Sequence, residues 1–282
     1  MLFLRLISKI PLGALYAFSD FLFFITYYVV RYRRQLVRRN LSRSFPDKTK
    51  AELIDIEKRF YRSLADYGVE TLHLLTIPAD QLLQRMKFVN PEMIEEYKSE
   101  NKSVIIFASH QFNWEWMLAS ASLSLPLPID FVYQTVNIPL FNQFSLACRT
   151  RFGNHPVRRE DVAREAARRK GIQRVVAIIA DQYPGLGKDK KYLTTFMHQR
   201  TAFFQGANQL AVLTQYPVVF AEVKKVKRGF YEVRFVKIGE PPYKRGDFSI
   251  MESYIAAIEK NIRENPSEWL WSHNRWKKRH LH

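Results

Sequence analysis

His110 and Glu115, set five residues apart in Ser-His-Gln-Phe-Asn-Trp-Glu-Trp, are the two side chains best suited to chemistry. An imidazole oriented by a carboxylate is the least apparatus that can take a proton from a hydroxyl. Such a pair alone is more often structural than catalytic, so its surroundings have to carry part of the argument. The apolar run Ser103-Val-Ile-Ile-Phe-Ala108 before it has the length and composition of a buried strand, and Met117 to Leu125 after it reads as a helix. The histidine therefore falls at a strand-to-helix turn and the glutamate in the helix's first turns. Other chemistries find little support. Gly185 and Gly187 belong to no phosphate-binding glycine pattern. His110 has no second histidine at metalloprotease spacing, and no Cys/His cluster has zinc spacing, so neither metal nor cofactor is expected. Cys148, the only cysteine, lies in the helical-looking segment Leu140–Cys148 and reads as a packing residue rather than a nucleophile. One thiol forms no internal disulfide.

The elements that must position this pair follow from composition and periodicity. With 282 residues, 47% of them hydrophobic, the chain can bury a substantial core and is not a disordered segment. Its 44 Lys and Arg against 27 Asp and Glu leave a net charge of +17, which calls for an anionic partner. No recognised nucleic-acid motif accompanies that charge, so no nucleic-acid partner is expected. Ile10 to Val30 is apolar and aromatic, and Arg31, Arg33, Arg34, Arg38, Arg39 and Arg43 follow it with no acid among them. This order, without a small-residue cleavage site, reads as an uncleaved membrane anchor whose basic flank and following body stay on the cytoplasmic side. Pro11, Gly13 and Asp20 interrupt the stretch and leave an interfacial or re-entrant helix open. The expected organisation is an anchor and basic segment at 1–44 and a catalytic domain at 45–282.

Within that domain, Asp47 or Thr49 caps a helix from about Ala51 to Leu75, and strands then alternate with helices. Predicted strands are 86–90, 104–109, 129–134, 174–181, 218–225 and 231–238. Predicted helices are 91–100, 114–125, 139–151, 159–169, 203–214 and 247–265. This alternation specifies an α/β fold with a mainly parallel central sheet flanked by helices, plus the N-terminal membrane-anchoring helix. Functional groups in such sheets gather at strand carboxyl ends, where His110 and Asp181 both fall.

The ordered set of motifs resembles the bacterial lipid A late (secondary) acyltransferases, within the lysophospholipid acyltransferase superfamily. The resemblance rests on Arg38-Arg-Asn-Leu-Ser-Arg-Ser-Phe-Pro46, the His-x4-acid motif, Val157-Arg-Arg-Glu-Asp161, Ala180-Asp-Gln182, the Phe-rich block Thr195–Gly206 and Trp269-Leu-Trp-Ser-His-Asn-Arg-Trp-Lys277. Two features depart from the family pattern. Ser109 stands where asparagine is common, and the Phe196 block carries Arg200, Phe203 and Phe204 in place of small residues. The resemblance implies transfer of a fatty acyl group from acyl-carrier protein to a hydroxyl of a lipid A precursor at the bacterial inner membrane. His110 would be the general base and Glu115 its orienting carboxylate, with Arg159, Asp181, Gln182 and Arg200 as substrate contacts. Backbone amides at the helix start or Arg159 would meet the oxyanion. Anionic membrane lipids are the further expected partner. Acylation of a lysophospholipid or an amino-acid-containing lipid is the alternative within the same chemistry.

Overall fold

A computed structural model of the chain describes residues 1–185 and 190–277; Gly187 of the glycine/lysine loop lies outside them. Four helices come first: α1 (Leu2–Ser8), α2 (Leu12–Phe24, prolonged by a π-helical turn at Ile25–Val29), α3 (Arg34–Ser44) and α4 (Lys50–His73). Of the two caps the sequence offered for α4, Thr49 is the one used. Its hydroxyl accepts from the Glu52 amide while Glu52 returns a bond to the Thr49 amide, closing a capping box. Next come α5 (Ala79–Arg85), β1 (Met86–Phe88), α6 (Glu92–Ser99), β2 (Val104–Ala108), α7 (Trp114–Ser124), β3 (Ile129–Tyr133) and α8 (Pro139–Arg149). The chain continues through β4 (His155–Arg158), α9 (Val162–Arg168), β5 (Val175–Ile179), β6 (Lys191–Phe196), β7 (Gln199–Phe204), α10 (Gly206–Thr214), β8 (Val218–Lys227), β9 (Phe230–Gly239) and α11 (Ser249–Glu264).

Seven strands form one sheet in the order β1-β9-β8-β2-β5-β3-β4. Neighbours are parallel throughout except for the β8–β9 hairpin, so the expected α/β architecture with a mostly parallel sheet is the one found. Every residue of β2 is buried, as a central strand covered on both faces requires. The β8–β9 turn passes through Gly229 at φ +71°, where a Cβ would lie 2.0 Å from the Tyr16 hydroxyl of α2. Only glycine meets both demands.

Three local readings change. The helix predicted from 203 begins at Gly206, because Gln199–Phe204 instead pairs antiparallel with Lys191–Phe196 as a separate two-stranded ribbon. The helix predicted over 159–169 is a short 3-10 turn at Arg159–Asp161 followed by α9. His155–Arg158 adds an edge strand the sequence reading did not include. Residues from both sides of the expected 44/45 boundary share one core: Leu15, Tyr27, Val37 and Leu41 belong to the same buried cluster as Phe60, Trp116 and Trp271.

Candidate active site

β2 and β5 are adjacent and in register, with Ala108 opposite Ile179. His110 and Asp181 each lie two residues beyond that pair, so the sheet itself delivers an imidazole and a carboxylate to the same place. One Asp181 oxygen accepts from His110 Nδ1 at 2.5 Å; the other accepts from the His110 backbone amide at 2.9 Å and from Trp269 Nε1 at 2.7 Å. Burial would raise the Asp181 carboxyl, but the adjacent imidazole's charge and these hydrogen bonds outweigh it and hold the group below its ordinary range. With Nδ1 committed to Asp181, Nε2 is the ring nitrogen left to exchange a proton.

The carboxylate on the imidazole is therefore that of Asp181, and the expectation that Glu115 orients His110 is corrected. Glu115 is in the first turn of α7, where its oxygens accept from Arg149 Nη2 at 2.6 Å, Arg149 Nε at 2.9 Å and Trp114 Nε1 at 3.2 Å. That is a two-nitrogen fork from Arg149, the last residue of α8, onto the Glu115 carboxylate. Burial works against the Arg149 charge, yet contact with Glu115 more than offsets it and keeps the guanidinium above its ordinary value. Asn113 sets this turn. Its side-chain oxygen accepts from the Glu115 and Trp116 amides at 3.1 Å each, as an N-cap does. Those two amides are thereby spoken for, which removes them as the oxyanion donors expected at the helix start.

His110, Glu115, Arg149, Arg159 and Gln182 all line one cavity of about 750 Å³. Its other walls are largely apolar: Ile106, Ala108, Phe131 and Ala177 from one face of the sheet, Met117 and Ala121 from α7. Arg159 approaches from the 3-10 turn with its guanidinium 5.2 Å from the Phe204 ring centre. Asp181 is only 1% exposed and is not a lining residue, so the substrate contact expected of it is replaced by its hold on His110. Arg200 is likewise not on the cavity wall; it sits in the β6–β7 ribbon opposite Thr195. Arg149 was missed, since one arginine near a helix end carries no local signal.

The C-terminal segment closes the site from behind. Leu270 N donates to the His110 carbonyl at 3.1 Å, and Phe112 N donates to the Glu268 carbonyl at 3.0 Å. His273 Nε2 accepts from the Tyr183 amide at 3.1 Å; burial pushes that imidazole down to about 4, so it stays neutral. Asn40 of α3 donates to the Trp271 and His273 carbonyls. The Asn-Leu…Phe-Pro and Trp-x-Trp motifs, far apart in sequence, thus form one joint. Cys148 is fully buried, and burial pushes its thiol up to about 12, which removes it as a nucleophile near neutrality.

The site thus presents a histidine held by a buried carboxylate on the wall of a largely apolar cavity that also carries arginines. The chain matches the bacterial lipid A biosynthesis acyltransferase family over residues 1–278 and belongs to that family. It is accordingly an acyltransferase acting on lipid A precursors. No curated protein matches it.

Proposed function

We propose that the enzyme moves a fatty acyl chain from acyl-carrier protein to a hydroxyl of a lipid A precursor, with His110 as general base. The observation that carries this reading is the imidazole on the wall of an apolar cavity with its far nitrogen held by Asp181. His110 Nε2 takes the proton of the acceptor hydroxyl as its oxygen attacks the thioester carbon. The C–O bond forms, the tetrahedral oxyanion collapses, the C–S bond breaks, and the proton passes to the leaving thiolate. The acceptor itself attacks, so no acyl-enzyme is required. Asp181 fixes the tautomer and stabilises the imidazolium as it forms. Glu115 holds Arg149 at the cavity wall. Arg149 and Arg159 are the cations placed to meet developing negative charge or a phosphate of the acceptor. The apolar walls suit an acyl chain, since each buried methylene contributes ~0.8 kcal/mol.

The excess of basic residues suits both an acidic carrier protein and anionic lipid, and the arginines after Val30 favour the cytoplasmic side of the inner membrane. The decisive experiment combines mass spectrometry of host lipid A, with and without the protein, and turnover of acyl-carrier-protein thioester on purified precursor. The expected results are one added acyl chain and a His110→Ala rate ~10²–10⁴-fold lower. Unaltered lipid A together with near-normal His110→Ala turnover would overturn the reading.

A further inference from the structure

The apolar stretch Leu12–Val29 is 18 residues long, about enough to cross a ~30 Å hydrocarbon layer as a helix. Its surroundings argue for another placement. From Ser8 to Arg34 the segment is fastened to α4 between Glu57 and His73. The Ser8 carbonyl bonds His73 Nδ1 at 2.8 Å, and the Tyr16 hydroxyl donates to Glu70 at 2.7 Å. Ser19 Oγ donates to Asp66 at 2.7 Å, the Tyr27 ring stands 5.3 Å from that of Tyr61, and Arg34 Nε donates to Glu57 at 2.8 Å. As the first number rises, the second falls, so the helices run antiparallel in continuous register. Asp20, the acidic residue within the apolar stretch, is held by Arg228 of the β8–β9 turn at 2.8 Å, and Arg228 also grips Asp66.

A membrane-crossing α2 would have to leave α4 or take it along. Leaving strips donors from Asp66 and Glu70, two buried carboxyls. Taking α4 along carries exposed Asp55, Arg59 and Arg62 into hydrocarbon. The outward side of the segment is a different surface. Phe18, Phe21, Phe24 and Tyr28 form an exposed stripe, and Leu2, Phe3 and Leu6 on α1 are exposed as well. Exposed cations stand at both ends, Arg5 and Lys9 before the stripe and Arg31, Arg33 and Arg39 after it. An apolar face with cations at both ends fits a helix lying along a single anionic leaflet, both ends reaching the same headgroups.

We propose that the outer face of residues 2–32 is a monotopic docking surface whose partner is one anionic lipid leaflet, with Lys9 and Arg39 on the same side of the bilayer. The proposal deepens the acyltransferase reading by stating how the catalytic body is held at its lipid substrate. Neither test below reads activity, so the two can fail separately.

The first test uses the full chain carrying Lys9→Cys or Arg39→Cys, both exposed positions, with the native chain and its buried Cys148 as control. Intact spheroplasts and inverted membrane vesicles are treated with a membrane-impermeant maleimide. Both cysteines should label in inverted vesicles and neither in spheroplasts. Labelling from opposite sides, or of one position only after detergent, overturns the proposal. The second test measures sedimentation of purified protein with vesicles of phosphatidylglycerol and phosphatidylcholine. The Phe21→Glu/Phe24→Glu variant should bind at least about tenfold more weakly at unchanged thermal stability and unchanged monomeric mass. Undiminished binding refutes the surface. So does a native dimer that this variant splits, which would assign the stripe to a second copy of the chain.

Discussion

Asp181 at the sheet end and Glu70 in α4 are both shut away from water, and each accepts three hydrogen bonds, yet their carboxyls are driven in opposite directions. Burial pushes both up. At Asp181 the neighbouring imidazole reverses that push and the group lies below its ordinary value. At Glu70 the donors are neutral, namely Asn113, Tyr16 and Tyr231, and Asp66 adds a like charge, so the carboxyl rises to about 7. Equal burial and equal donor number leave the partner's charge as the deciding quantity. One site keeps an anion beside an imidazole. The other keeps a carboxyl near neutrality, where it holds α2, α7 and β9 together. Glu115 is a third case, enclosed like the others but matched by a guanidinium.

The hardest blow to this contrast should come from Asp181→Asn, which removes the anion and leaves the shape. Acyl transfer is expected to fall ~10⁴-fold through loss of the tautomer and of imidazolium stabilisation. A fall of less than tenfold would mean that the charge at Asp181 is not what the imidazole uses. Arg149→Ala tests the matched pair, because it strands the Glu115 charge in the interior. Unfolding free energy should drop by about 3–5 kcal/mol, and Glu115→Gln/Arg149→Met should recover most of it. A double variant as unstable as the single one would show that packing, not charge, is at stake.

Glu70→Gln sharpens the neutral side. The folded-state value of Glu70 lies above its ordinary 4.5, so its contribution is fully present below about pH 4.5 and lost as pH rises through about 7. The stability of Glu70→Gln relative to the native chain should climb by about 3 kcal/mol between pH 4.5 and 8. Parallel stability curves for the two proteins would place Glu70 among ordinary ionised carboxylates. The smallest effect belongs to Glu165, whose partner Arg168, at 2.6 Å on α9, is mostly exposed to water. Glu165→Gln should leave the thermal midpoint within measurement error, and a clear drop would extend the importance of charge matching to the exterior.

Much of the site was legible because strand ends in a parallel sheet announce themselves. His110 and Asp181 were both placed at the tips of apolar runs, and both are there. Their partnership was not legible. It depends on β5 lying between β2 and β3, a long-range arrangement that local spacing does not encode, so spacing points to the carboxylate nearer in sequence and not to the one nearer in space. Helical geometry turned Glu115 toward α8 instead. The β6–β7 ribbon is silent in the sequence for a reason of turn chemistry. Met197 and His198 occupy its tip at positive φ, 49° and 62°, where Asn-Gly or Asp-Gly would have given the signal. Strand β4 contains Pro156, which argues against a strand anywhere except at a sheet edge, and the edge is where it lies. The N-terminal helix was legible in extent. Its fastening to α4 was not, because Tyr16, Ser19 and Asp20 look like interruptions until Glu70, Asp66 and Arg228 are set beside them.

The Trp269–Arg275 segment has a consequence for the order in which the enzyme is made. His110 and Asp181 leave the ribosome well before Trp269, whose indole completes the hydrogen bonding of Asp181, and before Leu270, which ties down the His110 carbonyl. At ~5–20 residues per second, on the order of ten seconds separates translation of His110 from translation of the segment that supports it. During that interval the N-terminal helices have already been made, while the His110–Asp181 pair lacks two of its supports. The His110–Asp181 pair therefore stays incompletely supported until the Trp269–Arg275 segment is in place.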